Sequence, residues 1–201
     1  MSPLSHTLCK PRIEKLTFTN FTLLSERELL TVLEWRNRPV IREHMTHAGV
    51  ITPEEHLSFC KTLPEREDLL YLRIDVNGIP SGVSSSRFDF KHRIIEPGVY
   101  YVAFPYAAAK VGMVLSYVYE AYGMREVRSA VKKDNVQALL FNALKTGSAV
   151  LGENGDYVLL GTEVPLPYKS RLNLHPLHVE FHGVKRLGDP CILNFPLKET
   201  A

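Results

Sequence analysis

Hydrophobic and polar positions alternate from Lys15 to Leu23, placing Leu16, Phe18 and Asn20 on one face, and this period of two predicts a first strand. The period then lengthens. Ser25 and Glu28 stand three apart as a capping box, with Leu24 and Leu29 placed to pack as a staple. A helix is therefore predicted to about Arg36, burying Leu29, Val32 and Leu33. A short helical stretch follows over Pro39 to His44. Thr52-Pro53-Glu54-Glu55 is a second capping box, and it opens a helix carrying Leu57, Phe59, Cys60 and Leu63.

After Pro64 alternation returns, with Leu70, Leu72, Ile74 and Val76 set against Tyr71, Arg73 and Asp75. Asn77-Gly78 is a hairpin signal, so Gly82 to Phe90 is expected to return antiparallel. Gly98 to Phe104 reads as the next strand and runs through Pro105 into a helix over 106–122, where Val111, Val114, Leu115, Val118 and Tyr122 keep the 3.6 period. Gly123 stops that helix, and Val127 to Val131 is a strand. Asp134 or Asn135 caps a further helix bearing Val136, Leu139, Leu140, Ala143 and Leu144. Tyr157 to Val164 and Leu177 to Phe181 complete the strands. The order β-α-α-β-β-β-α-β-α-β-β describes an α/β (α+β) fold, a mixed and mostly antiparallel sheet flanked by helices. One domain is expected over 15–187, with an N-terminal extension over 1–14 and a C-terminal tail over 188–201.

Composition narrows the class without naming a chemistry. Of 201 residues, 45% are hydrophobic and 23% charged, as in a folded globular chain. The 24 basic and 22 acidic residues leave a net charge of +2, which gives no electrostatic case for nucleic acid or an anionic membrane as partner. No run approaches the ~18 apolar residues of a membrane span. Met1 to Arg12 carries no apolar core of signal-peptide length, so the expected location is cytoplasmic. Cys9, Cys60 and Cys191 fit neither a disulfide framework nor a zinc knuckle. His44 and His47 have no further ligand at suitable spacing, so no metal is expected. His178, Glu180 and His182 read as a solvated strand face.

The element order resembles that of the GNAT acyl-CoA-dependent N-acyltransferases, and local residues agree. Trp35-Arg36-Asn37, Ile41-Arg42, Met45, Ile51, Glu54-Glu55-His56 and Phe59 resemble the signature of the nucleotide-aminosugar N-acetyltransferases of the pseudaminic-acid pathway. Gly82, Gly98 to Tyr100 and Asn135-x-x-Ala138 extend the match. The resemblance implies transfer of an acetyl group from acetyl-CoA, a co-substrate, to the amine of a nucleotide-linked aminosugar by direct attack. It allows a homodimer. An acceptor amine on a peptide or protein, and a GNAT-fold binding module without catalysis, stand as alternatives.

The same resemblance assigns residues. Backbone groups of Tyr101, Val102 and Ala103 would pair with the donor's pantetheine arm, and the helix start after Pro105 would hold its pyrophosphate. The family pattern Gln/Arg-x-x-Gly-x-Gly/Ala reads here Ala107-Ala108-Ala109-Lys110-Val111-Gly112, which keeps Gly112 alone. Lys110 stands at the first glycine, and its ammonium is expected to compensate. Asn135 joins the donor set. Asn142 replaces the usual tyrosine acid, leaving water, Tyr101 or Tyr106 to protonate the thiolate. Ser85 and Ser86 are candidate orienters and Glu96 or His92 the base. Arg36, Asn37, Arg42 and His56 are expected around one acceptor cleft, because guanidinium pairs well with phosphate.

Overall fold

The computed structural model describes residues 10–164 and 176–195. Its strands are β1 (Lys15–Asn20), β2 (Leu69–Val76), β3 (Ile79–Asp89), β4 (Ile94–Tyr101), β5 (Glu126–Lys132), β6 (Ala149–Asn154), β7 (Tyr157–Glu163), β8 (Leu177–His182) and β9 (Cys191–Phe195). Its helices are α1 (Glu26–Asn37), α2 (Pro39–Arg42), α3 (Pro53–Thr62), α4 (Ala108–Ala121) and α5 (Val136–Phe141). The strands make one sheet in the order β6-β7-β5-β4-β3-β2-β1-β8-β9. Two neighbouring pairs, β1 with β8 and β4 with β5, are parallel, and the other pairs are antiparallel. A mixed, mostly antiparallel sheet flanked by helices is what the hydrophobic pattern called for.

The two faces of the sheet are covered differently. On one, α4 packs Val111, Val114 and Val118 with Leu16, Phe18, Leu72, Ile74, Val179 and Phe181. The Phe18 and Phe181 rings stack at 4.7 Å across the parallel β1–β8 pair. On the other, α1 and α3 bring Leu29, Val32, Trp35 and Cys60 onto Val83, with Tyr71, Tyr100 and Val102 beside them. Asn77 (φ 51°) and Gly78 (φ 79°) make the two-residue turn between β2 and β3. The Asn77 side chain also accepts from Glu14 N–H and Lys15 N–H and donates to the Arg12 carbonyl, tying the approach to β1 onto that turn.

Several elements differ from the pattern reading. β4 begins at Ile94 and ends at Tyr101 rather than spanning Gly98 to Phe104, since Phe104 takes left-handed φ and ψ and turns the chain toward α4. β6 was not anticipated because five of its six residues are exposed, so no apolar face marks it. The helix capped by Asn135 gives way at Asn142–Thr146 to a wider π-type turn. Finally, β9 falls within the segment expected as a tail, pairing Phe195 with Leu177 and Cys191 with Phe181. Cys9, the extension before Lys10 and the chain after Phe195 lie outside the described residues.

Both predicted capping boxes form. In the first, Ser25 N–H and Oγ–H donate to Glu28 Oε2 at 2.9 and 2.7 Å, while Arg73 Nη1 donates to Oε1 at 2.6 Å. These bonds, from Ser25 first and Arg73 after, hold the Glu28 carboxyl at about 2, below its ordinary 4.5. A carboxylate depressed in the fold stabilises fully above 4.5 and loses that contribution as pH falls toward 2. Glu28→Gln keeps the cap but removes the charge, so it should cost about 1 kcal/mol or less at pH 7. In pH-resolved thermal unfolding, the gap between parent and variant should close by about pH 2.

Candidate active site

A cleft opens where β4 and β5 part. The two strands share the pairs Ile94↔Glu126 and Ile95↔Val127, after which β4 stays with β3 and β5 with β7. Pro97 stands two residues beyond the last pair and has no N–H to continue a parallel ladder. Val102 N–H donates to Ser81 O, and with the alternation of an antiparallel pair this commits the even-numbered positions of β4 to β3. The backbone groups of Val99 and Tyr101 therefore point to the β5 side. Val102 and Ala103, expected to meet the donor, both send their N–H to Ser81 O instead, at 2.8 and 3.2 Å.

At the end of this cleft the chain enters α4 through a tight turn over Pro105–Ala107. Ala107 N–H donates back to Phe104 O and Ala108 N–H to Pro105 O, so the turn uses amides that an open loop would present. Ala107 and Val111 are wholly buried in the core, so neither side chain faces a ligand. Lys110 Nζ donates to Ile13 O at 3.3 Å, and burial, then the nearby Arg12 charge, lowers its pKa. Its ammonium thus holds the segment before β1, where Tyr106 Oη–H also donates to Pro11 O at 3.1 Å and Lys10 lies over the Tyr106 ring. Lys10, Arg12 and Lys110 form a cationic group beside the start of α4.

The base and acid candidates separate. Ser85 lies opposite Gly98, and its Oγ reaches Gly98 O at 3.5 Å. A Cβ at position 98 would sit 2.7 Å from that Oγ, so glycine leaves room for it. Glu96, opposite Arg87, shares the face of Ser85 by alternation and is exposed at the root of the cleft. Ser86 is on the other face, buried and bonded to Tyr119, whose phenol burial pushes up to about 12. His92 is occupied with Asp89 at 2.6 Å in the β3–β4 loop. Asn142 Nδ2 donates to Ala138 O in its own helix, and Asn135 Oδ1 caps α5 through Ala138 N–H. Both asparagine side chains are bonded within the α5 region.

Of the four residues expected around an acceptor, three meet on one piece of chain. Asn37 exchanges both side-chain hydrogen bonds with Ile51, Arg42 Nη1 donates to Ala48 O at 3.0 Å, and Arg36 Nη2 donates to His47 O. Arg36 Nη1 and Arg42 Nε are shielded from solvent and meet no partner among the described residues. Burial lowers the Arg36 pKa, Tyr100 opposes that shift, and the Arg42 charge adds to it. Tyr100, whose phenol donates to Val32 O at 3.4 Å, thus joins Arg36, from the β4 segment of the sequence resemblance. His56 is elsewhere. It is buried between α1 and α3, 3.7 Å from Cys60 Sγ, with its pKa lowered by burial. Lys132, at the end of β5, donates to Glu43 O, and sequence reasoning had not singled it out. No group of three His, Cys, Asp or Glu suited to a metal occurs among the described residues.

This parting of two parallel strands beside a helix start belongs to the fold of the GNAT acetyltransferases, and that is the fold of this chain. It is similar to the Campylobacter jejuni N-acetyltransferase PseH, with 19% identity and a TM-score of 0.59 over 74% of this chain and 97% of that one. It also resembles the Vibrio cholerae spermidine N-acetyltransferase solved with CoA and spermine (13% identity, TM-score 0.65, 75% and 96% covered). A third is the aminoglycoside acetyltransferase AAC(6')-Ib with coenzyme A and kanamycin (14%, 0.62, 78% and 99%). No family profile and no curated protein matches the chain in sequence.

The Asn37–Ile51 pair gives a direct check on the loop it holds. Asn37→Ala leaves the Ile51 N–H and C=O without those partners, which should cost about 2 kcal/mol. Chemical denaturation measures the loss, and hydrogen exchange should quicken at residues 43–51.

Proposed function

We propose that the protein is an acyl-CoA-dependent N-acetyltransferase that moves an acetyl group from acetyl-CoA to the amine of a nucleotide-linked aminosugar. The observation that carries this reading is the parting of β4 and β5 at Pro97, which leaves the backbone of Val99 directed toward the side that β5 has left. An extended pantetheine arm is matched to such an edge, since its amides can continue the ladder that β5 abandons. Lys10, Arg12 and Lys110 lie at the end of the cleft where the donor's phosphates would emerge, and these cations take over from the amides that the Pro105–Ala107 turn has used. PseH has been solved with acetyl coenzyme A, and the chain shares its fold.

The chemistry follows from the walls. The acceptor nitrogen attacks the thioester carbonyl directly, forming the C–N bond while the carbonyl oxygen takes up negative charge. A backbone N–H directed into the cleft, such as that of Val99, is placed to stabilise that oxygen. The nitrogen gives up its proton toward Glu96, with Ser85 orienting the path on the same sheet face. The C–S bond then breaks and the thiolate takes a proton from water or Tyr101, because Asn142 has no labile proton to give. The acceptor's diphosphate is the fitting partner for Arg36 Nη1 and Arg42 Nε, two buried cationic donors left over once the loop is held. That favours a nucleotide-linked amine over a peptide amine.

A binding module without catalysis is the second reading, favoured by Asn142 and the committed amides of Ala107 and Ala108. Calorimetric titration with acetyl-CoA, followed by turnover with UDP-linked aminosugars, separates the two. Saturable binding with turnover supports the transferase, and no binding at millimolar acetyl-CoA removes it in favour of the module. In the active enzyme, Arg36→Ala should raise the acceptor KM about tenfold or more while moving the acetyl-CoA KM little, as loss of a charge-assisted contact demands. A drop in stability with unchanged kinetics would make Arg36 structural.

A further inference from the structure

The segment from α2 to Ile51 reaches both sides of the β4–β5 cleft. On the β4 side it follows α1, whose carbonyl at Val32 receives the Tyr100 phenol, and it is held by Arg36, Asn37 and Arg42. On the β5 side it is met by Lys132, whose ammonium donates to the Glu43 carbonyl across 89 positions of sequence. Glu43 caps the C-terminal end of α2, where carbonyls lack partners within the helix and a cation is a fitting donor. The chain therefore bridges the mouth of the cleft between the two strands that form it.

The pin and the clamps are close along the chain. Glu43 is four residues from His47 and five from Ala48, the carbonyls that Arg36 and Arg42 hold. Each guanidinium spends one N–H group on this segment and retains another, Arg36 Nη1 or Arg42 Nε, with no partner among the described residues. Movement of the segment would carry the guanidiniums with it, because a tether of a few residues spans only about 15 Å even when extended.

We infer that Lys132 is a positioning residue of the acceptor site: by pinning Glu43 to the end of β5 it keeps Arg36 and Arg42 in the arrangement that receives one anionic group of the acceptor. The inference rests on the acceptor reading proposed above. Lys133 supplies a charge-matched control, since it is adjacent in sequence yet bonded to Glu153 at 2.5 Å.

The test uses the full chain and UDP as the acceptor-side probe, with dissociation constants for UDP and for acetyl-CoA read by calorimetry. Lys132→Met should weaken UDP about tenfold and leave acetyl-CoA within about twofold. Lys132→Arg, which retains a donor of similar reach, should restore UDP binding to within about threefold. Lys133→Met should leave both constants unchanged, and UDP should slow hydrogen exchange at residues 43–48 in the parent. Equal weakening of UDP by Lys132→Met and Lys133→Met would overturn the inference, because loss of any nearby cation would then suffice. An unmoved UDP constant in Lys132→Met would overturn it as well. A parent that binds acetyl-CoA but none of UDP, GDP and dTDP would remove the acceptor reading itself, and the inference with it.

Discussion

At Pro97, β4 loses the N–H that would carry its parallel ladder with β5 past Ile95. β4 is bonded along its length to β3, and β5 along its length to β7, so each strand has a reason to stay where it is once they separate. The cleft is thus a consequence of satisfied hydrogen bonding on the outer sides of both strands, not of strain between them. Everything assigned to the site is arranged around this opening. Glu96 and Ser85 stand at its root, the α4 turn and its cations at its far end, and the bridging segment from α2 across its mouth.

The two ends of the cleft use charge in different ways. At the α4 end, the tight Pro105–Ala107 turn spends backbone amides within itself, and cations from before β1 gather beside it, ordered by the Asn77 side chain and the Tyr106 hydroxyl. At the α2 end, the cations are part of the framework first. Arg36 and Arg42 each secure a loop carbonyl, and each also carries one shielded nitrogen, Nη1 or Nε, that meets no partner among the described residues. A buried donor without a partner costs roughly 1–3 kcal/mol, so an anion reaching those groups recovers free energy that the folded protein forgoes.

Much of the fold was legible because its signals are local and redundant. Ser25 with Glu28, Thr52 with Glu55, and Asn77-Gly78 each specify a boundary through chemistry within four residues, and each forms. β6 was illegible because its side chains are exposed on both faces, and its existence depends on pairing with β7. The site divides similarly. The sequence brought Arg36, Asn37 and Arg42 to one place, but their hydrogen bonds go to His47, Ala48 and Ile51, a partnership that only the folded loop reveals. His56 shared their stretch of sequence and yet faces the α1–α3 interface, since helical phase turned it toward Cys60. Lys132 gave no signal, being one lysine among several at the end of a strand.

The central claim is that the opened edge of β4 receives the donor as though it were a strand. Residue-resolved hydrogen exchange, with and without saturating acetyl-CoA, measures this at two adjacent amides that differ in direction. Val99 N–H points to the β5 side, while Tyr100 N–H is directed to β3 by the register of the pair. Acetyl-CoA should slow exchange at Val99 and leave Tyr100 unchanged. Protection of neither amide by a bound donor, or equal protection of both, would contradict the account.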